Sequence, residues 1–441
     1  MLDNPTETDT ETASHIPHWY DPSSTGLTIT DGQGTRVVDD EGEEYLDFVS
    51  QLYCVNAGHG NRAIVDAMKE QLERIQYVSS AKQTPARTEL SERLAAVGPN
   101  SLSDVMFSVS GSEANELAMT VARKYADAPK ILSRWRSYHG STYGAGSVTG
   151  DPETRSSLES HASATGAVKF LPPMSYGSPF NAETPAELAD AAADHLEFVI
   201  RNEGPETIAG ILTEPIAGSS GAYTAPPGYF ERVRELCDRY DILLIADEVI
   251  TGFGRCGDWF GIQTEGVQPD VLTFAKGVTS AYAPLAGVMM RPDIAAHVRS
   301  DGFDLGQTFG GHPVGCAAGV AAIAEYDDGL IENVRATEDA FVDHLSMLER
   351  DHDVVADVRG RGFLHAVEFA DPDTGEPFHD PRVDDGPNPV VDVVDAASDR
   401  GVLVGAGRPA TQLILSPPLC ATTDEIDTAV QSLDAAIDAV F

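Results

Sequence analysis

Short apolar runs alternate with amphipathic segments of helical length along the middle of the chain. Six of these runs predict buried strands, at residues 105–109, 167–171, 210–213, 242–246, 271–275 and 285–290. Continuous apolar runs separated by helix-length segments are typical of a mostly parallel sheet that is covered on both faces. The pattern therefore predicts an α/β fold.

The N-terminal part of the chain has shorter patterns. Residues 26–48 predict short strands, with turns at Asp31-Gly32 and Glu41-Gly42. Apolar positions between residues 63 and 78 keep helical spacing. Residues 1–17 are rich in Thr, Asp and Glu, which predicts a disordered terminus.

The C-terminal part predicts strands at residues 358–369 and 413–415, and a surface loop at the Pro- and Asp-rich stretch 371–388. At 441 residues the chain exceeds what one hydrophobic core usually serves. We expect a large domain at residues 71–335 and a small domain made from residues 18–70 and 336–441.

Charge changes the picture of possible partners. The chain has 70 acidic and 29 basic residues, a net charge of −41, and only six of the basic residues are Lys. Such a surface repels nucleic acid and anionic membranes, and its self-repulsion is tolerable where concentrated salt screens it. The N-terminus is acidic and no apolar run has the length of a membrane span. We therefore expect a cytoplasmic protein adapted to a salt-rich cell.

The five cysteines stand singly, without a C-x-x-C pair. An odd number at wide spacing is typical of a reducing compartment and argues against a disulfide framework or a zinc cage. We expect no metal.

The segment Ser110-Gly111-Ser112-Glu113-Ala114 follows the first predicted strand and opens an amphipathic helix. Ser110 and Glu113 have capping-box spacing, and Gly111 allows close approach to the start of the helix. The free amides and the helix dipole there favour an anion. A plain capped helix would explain the motif equally well.

Two charged residues each follow a buried strand directly. Asp247 comes after residues 242–246 and Lys276 after residues 271–275. In an open α/β sheet the ligand crevice lies at the carboxyl ends of the strands. Asp247 could instead cap a helix or pair with Arg255, and Lys276 could be a solvated loop residue. A desolvated lysine at such an edge can form a Schiff base.

Together these motifs resemble the class III aminotransferases, and the resemblance runs from about residue 19 to the C-terminus. The segments occur in the order and spacing of that family: Ser110 to Ala114, Ser137-Tyr138-His139-Gly140-Ser141-Thr142, Thr213-Glu214-Pro215, Ala246 to Arg255, Ala275-Lys276-Gly277 and Thr308-Phe309-Gly310-Gly311-His312-Pro313. The resemblance implies fold type I, like aspartate aminotransferase, with pyridoxal phosphate as cofactor. It also implies a homodimer, which could pair into a tetramer.

The resemblance assigns a role to each matching residue. Lys276 would be the catalytic residue, carrying the cofactor as a Schiff base and then moving the substrate proton. Asp247 would pair with the pyridine nitrogen of the cofactor. The remaining cofactor contacts implied are Ser110, Gly111 and Ser112 at the phosphate, Tyr138 stacked on the ring, His139 and Val249 at its border, and Thr308 from the neighbouring subunit.

Substrate choice is implied by looser similarities to the ω-amino-acid:pyruvate and amine:pyruvate group. Arg408 would bind a substrate carboxylate and swing aside for an uncharged donor, while Trp19 and Tyr53 would line an aromatic side of the pocket. Ornithine- and GABA-using relatives have a glutamate in a stretch that here is Gly218-Ser219-Ser220-Gly221. We therefore expect an ω-amino acid or amine such as β-alanine or taurine as donor, a 2-oxo acid, most simply pyruvate, as acceptor, and ping-pong kinetics.

Alternatives remain open. On the same fold, a 2-oxoglutarate-dependent aminotransferase, an aminomutase or a decarboxylating transaminase would share the cofactor residues. A nicotinamide oxidoreductase would use Gly405-x-Gly407-x-x-Ala410, but Pro409 and the following apolar residues predict a strand where that fingerprint requires a helix.

Overall fold

A computed structural model describes His18, residues 26–159 and residues 166–441 of the chain. The predicted disordered segment 1–17 and the candidate Trp19 lie outside the described residues.

The chain alternates strands and helices through its middle and ends in a long helix. The strands are β1 Ile29–Gln33, β2 Arg36–Asp39, β3 Glu44–Asp47, β4 Asp104–Ser108, β5 Lys130–Arg134, β6 Ala167–Phe170, β7 Ile208–Thr213, β8 Leu243–Asp247, β9 Val271–Phe274, β10 Ala286–Met290, β11 Val355–Arg361, β12 Leu364–Phe369, β13 Val402–Leu403, β14 Gly405–Ala406 and β15 Gln412–Leu415. The α-helices are α1 Ser50–Tyr53, α2 Arg62–Arg74, α3 Pro85–Val97, α4 Gly111–Ala126, α5 Tyr143–Val148, α6 Pro152–Glu159, α7 Pro185–Glu203, α8 Tyr229–Tyr240, α9 Gly261–Thr264, α10 Pro292–Asp301, α11 Pro313–Glu325, α12 Ile331–Asp351, α13 Pro389–Ser398 and α14 Thr423–Val440.

The central sheet has seven strands in the order β4-β10-β9-β8-β7-β5-β6. Strands β6, β5, β7, β8 and β9 pair in parallel, and β10 is antiparallel to both β9 and β4. Strand β4 therefore runs in the same direction as β8 and β9. The carboxyl ends of these three strands meet at one edge, which is where the predicted chemistry follows them.

Two four-stranded sheets come from the chain ends. One has the order β1-β2-β3-β13 and joins residues near both termini, and the other has the order β11-β12-β15-β14. The mostly parallel central sheet confirms the predicted α/β class. The residue boundaries of the two domains stay a prediction.

Two details differ from the sequence analysis. The turn predicted at Asp31-Gly32 is wrong, because both residues lie inside β1 and the chain reverses at Gly34, whose φ is +60°. A Cβ on Gly32 would lie 3.0 Å from the Cβ of His59, so this glycine permits close packing instead of a turn. The central strand β5 was not predicted, because its sequence KILSR has only two strongly apolar residues.

Helix α4 begins directly after the carboxyl end of β4. Ser110 caps it by accepting a hydrogen bond from the Glu113 amide, as the capping spacing predicted, and its apolar face is buried at Ala114, Leu117, Ala118, Val121 and Ala122. A search of the described helices found none that combines the length and the hydrophobicity of a transmembrane span.

Candidate active site

A cavity of about 450 Å³ opens at the carboxyl edge of β4, β8 and β9. That volume is within the usual range for sites of small molecules, roughly 300–1,000 Å³. The predicted residues that line it are Tyr53, Gly111, Ser112, Tyr138, His139, Asp247, Val249, Lys276 and Arg408. Residues from six separate sequence segments thus meet in one concave site.

Asp247 is the last residue of β8 and its carboxylate is buried. Its Oδ2 lies 2.7 Å from His139 Nδ1 and accepts a hydrogen bond of 2.8 Å from Asn115 Nδ2. Its Oδ1 accepts from the Val249 amide at 3.1 Å. Burial alone would raise the pKa of this carboxyl, but the hydrogen bonds with His139, Asn115 and Val249 outweigh it and hold the pKa below its usual value. Asp247 is therefore a fixed negative charge in the cavity.

Lys276 follows β9 and begins a 3-10 helix with a φ of +46°, in the left-handed region. Its Nζ lies 5.4 Å from the centroid of the Tyr53 ring. Desolvation lowers the pKa of the amino group, although the Cys54 thiol and the carboxyl groups of Asp247 and Glu214 oppose the shift. A lysine with a lowered pKa is more often neutral, and the neutral amine is the form that attacks a carbonyl.

The start of α4 faces the same cavity through Gly111 and Ser112. The first amides of a helix have no partner within the helix, so this end offers donors and a positive dipole to an anion. Gly140 packs against it with a φ of +129°, and a Cβ there would lie 2.8 Å from Ser112 Cα. The anion site thus depends on a glycine in the neighbouring loop.

Tyr138 and His139 are held by carboxylates at the ends of β7 and β8, those of Glu214 and Asp247. The Tyr138 amide donates to Glu214 Oε1 at 3.1 Å, and Glu214 Oε2 accepts from the Gly218 amide at 2.7 Å. Burial raises the pKa of Glu214. His139 Nε2 is buried and has no hydrogen-bond partner among the described residues. Both aromatic side chains border the space in front of Asp247.

Arg408 reaches the cavity from the C-terminal part of the chain. Its Nη1 lies 3.5 Å from Asp151 Oδ2, a long ion pair, and its amide donates to Ser219 O at 2.8 Å. Tyr53 is buried beside it, and desolvation raises the pKa of the Tyr53 hydroxyl to about 12. The guanidinium supplies a cation at this end of the cavity, and its Nη1 also lies 3.5 Å from Thr154 Oγ1.

Two predicted residues do not line this cavity. Ser110 acts as the cap of α4, and Thr308 is exposed, with its carbonyl oxygen accepting a hydrogen bond of 3.0 Å from the Tyr77 hydroxyl. Trp19 lies outside the described residues. Within the described ranges, no three His, Cys, Asp or Glu side chains come together as the ligands of a metal ion would.

Sequence reasoning missed Asn115 and gave Glu214 no role. Asn115 donates to both Asp247 Oδ2 and the His139 carbonyl oxygen, at 2.8 and 2.7 Å. Its position three residues after Ser112 places both residues on one face of α4, and this spacing was the available signal.

Comparison with known proteins fits this geometry. Residues 17–437 match the family described as aminotransferase class-III. The diaminobutyrate–2-oxoglutarate transaminase of Halomonas elongata is 32% identical, covering 100% of this chain and 96% of its own length. The hypotaurine/taurine–pyruvate aminotransferase of Paracoccus denitrificans is 35% identical, covering 94% and 92%.

Solved structures agree at the level of the whole fold. The PLP-bound amine transaminase from an uncultivated Pseudomonas species superimposes with a TM-score of 0.90 at 32% identity, covering 97% of this chain and 100% of that chain. The protein is therefore a member of the class III aminotransferases, with fold type I and pyridoxal phosphate as its cofactor.

Proposed function

We propose that this aminotransferase moves an amino group from an ω-amino acid or a simple amine to a 2-oxo acid, with pyruvate as the acceptor. The observation that carries the proposal is the cavity that joins Lys276 and Asp247 to a cationic end at Arg408. The names of relatives such as the taurine–pyruvate enzyme support the same class of substrates.

The chemistry of the lining residues fits pyridoxal phosphate. The open amides of Gly111 and Ser112 would hold its phosphate, and Lys276 would hold its aldehyde carbon. Asp247 would keep its pyridine nitrogen protonated, with Tyr138 on the ring face and His139 and Val249 at its border. When bound, the cofactor supplies an electron sink for the carbon that loses its proton.

Lys276 would also move the proton at the substrate carbon. Its desolvated amino group can accept and return a proton, because its lowered pKa brings the two protonation states closer in energy. Asp247 opposes a further fall of that pKa, since a nearby negative charge favours the ammonium form. The burial of Lys276 and the charge of Asp247 therefore act in opposite directions on how readily the amino group of Lys276 releases its proton.

Arg408 would select the carboxylate of an ω-amino acid or of the 2-oxo acid. A guanidinium binds a carboxylate through two parallel hydrogen bonds. A substrate carboxylate would compete for this guanidinium with Asp151, whose Oδ2 lies 3.5 Å from Arg408 Nη1. The segment Gly218-Ser219-Ser220-Gly221 contains no glutamate that would neutralise Arg408.

Thr308 would complete the phosphate site of a neighbouring subunit in a homodimer. It is exposed here and does not line the cavity of its own chain, and Leu305 and Phe309 nearby in the sequence are apolar residues exposed by 60% and 57%. Mixing a Lys276→Ala chain with a Thr308→Asp chain tests this. A shared site predicts that the mixture regains about a quarter of the activity, from the one intact site of each heterodimer; no recovery contradicts it.

The function is tested by the absorption spectrum of the holoenzyme during two additions. We expect the visible band to fade with β-alanine and to return with pyruvate. If the visible band returns only with 2-oxoglutarate, the acceptor is 2-oxoglutarate, as in the name of the Halomonas elongata relative. Turnover without any added 2-oxo acid would favour an aminomutase.

A further inference from the structure

Residues 50–53, which make up α1, form a strained turn beside the active-site cavity. Ser50, Gln51 and Tyr53 have φ values of +48°, +59° and +60°, in the left-handed region, although none of them is glycine. Gln51 combines its φ with a ψ of −76°. These angles are close to those of the rare and strained γ-turn with positive φ, about +75° and −65°. Such strain persists only where the surrounding structure holds it, and it is concentrated at functional sites.

The carboxylate of Asp47 holds this turn from the end of β3. Its side chain is fully buried, and both of its oxygens accept from the Gln51 amide, at 3.0 and 3.1 Å. Its Oδ2 also accepts from Gln51 Nε2 at 3.0 Å and lies 2.8 Å from His59 Nε2. Hydrogen bonds to an ionised acceptor are stronger than those between neutral groups. Asp47 thus binds both the backbone and the side chain of the residue in the γ-turn conformation.

His59 is fixed in turn by the hairpin of β1 and β2. Its amide donates to the Gly34 carbonyl oxygen at 2.8 Å, and its own carbonyl oxygen accepts from the Gly34 amide at 2.9 Å. A Cβ on Gly32 would lie 3.0 Å from the Cβ of His59, so the histidine packs closely on this hairpin. The N-terminal sheet therefore connects through His59 and Asp47 to the strained turn.

The turn lines the active-site cavity through Gln51, Leu52 and Tyr53. The centroid of the Tyr53 ring lies 5.4 Å from Lys276 Nζ. Asp47 does not line the cavity itself. Any effect of Asp47 on a substrate must therefore pass through the turn.

We propose that Asp47 is a positioning residue of this transaminase, which holds the turn of residues 50–53 in place as one wall of the pocket for the amine donor. The inference rests on the proposed function, because it takes the space between Tyr53 and Lys276 as the place of the donor. Asp247, Lys276 and the start of α4 belong to other elements. Loss of Asp47 should therefore disturb the fit of the substrate and leave the cofactor bound.

The test compares Asp47→Ala with Asp39→Ala in the holoenzyme, by steady-state kinetics with β-alanine and pyruvate. Asp39 is the matched control, because it is also buried at the end of a strand of the same sheet and accepts from two amides and the Tyr45 hydroxyl. It does not line the cavity. Both variants should lose stability to urea.

Asp47→Ala alone should lower kcat/KM by about 10- to 100-fold, because a displacement of about 1 Å can cost that much. The loss should fall mainly on the KM for β-alanine, and the visible absorption band of the bound cofactor should remain. A KM in Asp47→Ala equal to that in Asp39→Ala overturns the proposal.

If the wild-type enzyme does not react with β-alanine and pyruvate, the proposed function fails, and hydrogen–deuterium exchange of the holoenzymes still decides the role of Asp47. The amides of residues 50–54 should exchange faster in Asp47→Ala than in the wild type or Asp39→Ala, and unchanged exchange there overturns the proposal. If Asp47→Ala does not fold, Asp47→Asn replaces it, since it keeps one oxygen for the Gln51 amide but cannot accept from Gln51 Nε2 with its own NH₂ group. A smaller rise in KM is then expected, and a KM equal to that of the wild type overturns the proposal.

Discussion

Asn115 connects Asp247 and His139, the two residues proposed to lie beside the pyridine ring, and its replacement gives the sharpest test of the site. In Asn115→Ala, Asp247 Oδ2 loses a hydrogen bond of 2.8 Å and the His139 carbonyl oxygen loses one of 2.7 Å. A hydrogen bond to a charged group is worth about 1.5–3 kcal/mol. Since one pKa unit corresponds to about 1.4 kcal/mol, the pKa of Asp247 should rise by about one to two units.

The direction of the pH effect follows from the carboxylate. The pKa of Asp247 in the folded protein is lowered, so its stabilising contribution is present above the usual carboxyl pKa and is lost as the pH falls through the folded value. A protonated Asp247 also cannot balance a charged pyridine nitrogen. On acidification, Asn115→Ala should therefore release its cofactor at a pH about one to two units higher than the wild type does.

The assay is a pH titration of the cofactor's visible absorption, combined with urea unfolding. Asn333→Ala is the control, because Asn333 also donates two hydrogen bonds, in its case both to backbone oxygens, those of Leu419 and Ala421, and does not line the cavity. Both variants should lose about 1–3 kcal/mol of unfolding free energy. If the pH of cofactor release moves equally in both, the proposed link from Asn115 to Asp247 is refuted.

Four further outcomes are expected. Lys276→Ala should lose the visible band and at least about 10²-fold in transamination rate, measured with saturating cofactor, because it removes the proton-transfer group. Arg408→Gln should lower kcat/KM for β-alanine by about 10- to 100-fold and leave an uncharged amine donor nearly unaffected; an equal loss for both donors would count against a carboxylate role. Gly140→Ala should weaken cofactor affinity by crowding Ser112, whereas Gly386→Ala, with a similar positive φ but open space, should not. The thermal midpoint should rise between about 0.1 and 1 M NaCl, as the Debye length falls from about 10 to about 3 Å, and a flat profile would refute the interpretation of the acidic surface.

The sequence alone could predict the residues at the strand ends, because the ligand crevice of an open α/β sheet lies at the carboxyl ends of its strands. Asp247 and Lys276 each follow a continuous apolar run, and parallel strands bring their carboxyl ends to one edge. Gly111 was predictable for a related reason, since its strand β4 runs in the same direction and leads into a capped helix. Local patterns sufficed wherever a residue's place is set by the strand that precedes it.

Other contacts depend on tertiary packing that no local pattern encodes. Asn115 shares a face of α4 with Ser112, but its hydrogen-bond partners are 24 and 132 positions away in the sequence. The Tyr138 amide meets Glu214 across 76 positions. Strand β5 was missed because its place in the sheet is fixed by its partners β6 and β7 more than by its own apolar content.

The position of Arg255 explains why Asp247 remains free to serve a cofactor. Arg255 follows Asp247 by eight positions, and an ion pair between them was an open alternative from the sequence. The structure instead directs the buried Arg255 guanidinium to the Phe363 carbonyl oxygen at 3.1 Å and to Asn56 Oδ1 at 3.0 Å. Its charge is satisfied by neutral oxygens from distant parts of the chain. No Lys or Arg of the described residues forms an ion pair with Asp247, so the charge of this carboxylate is available for a cationic ring nitrogen in the cavity.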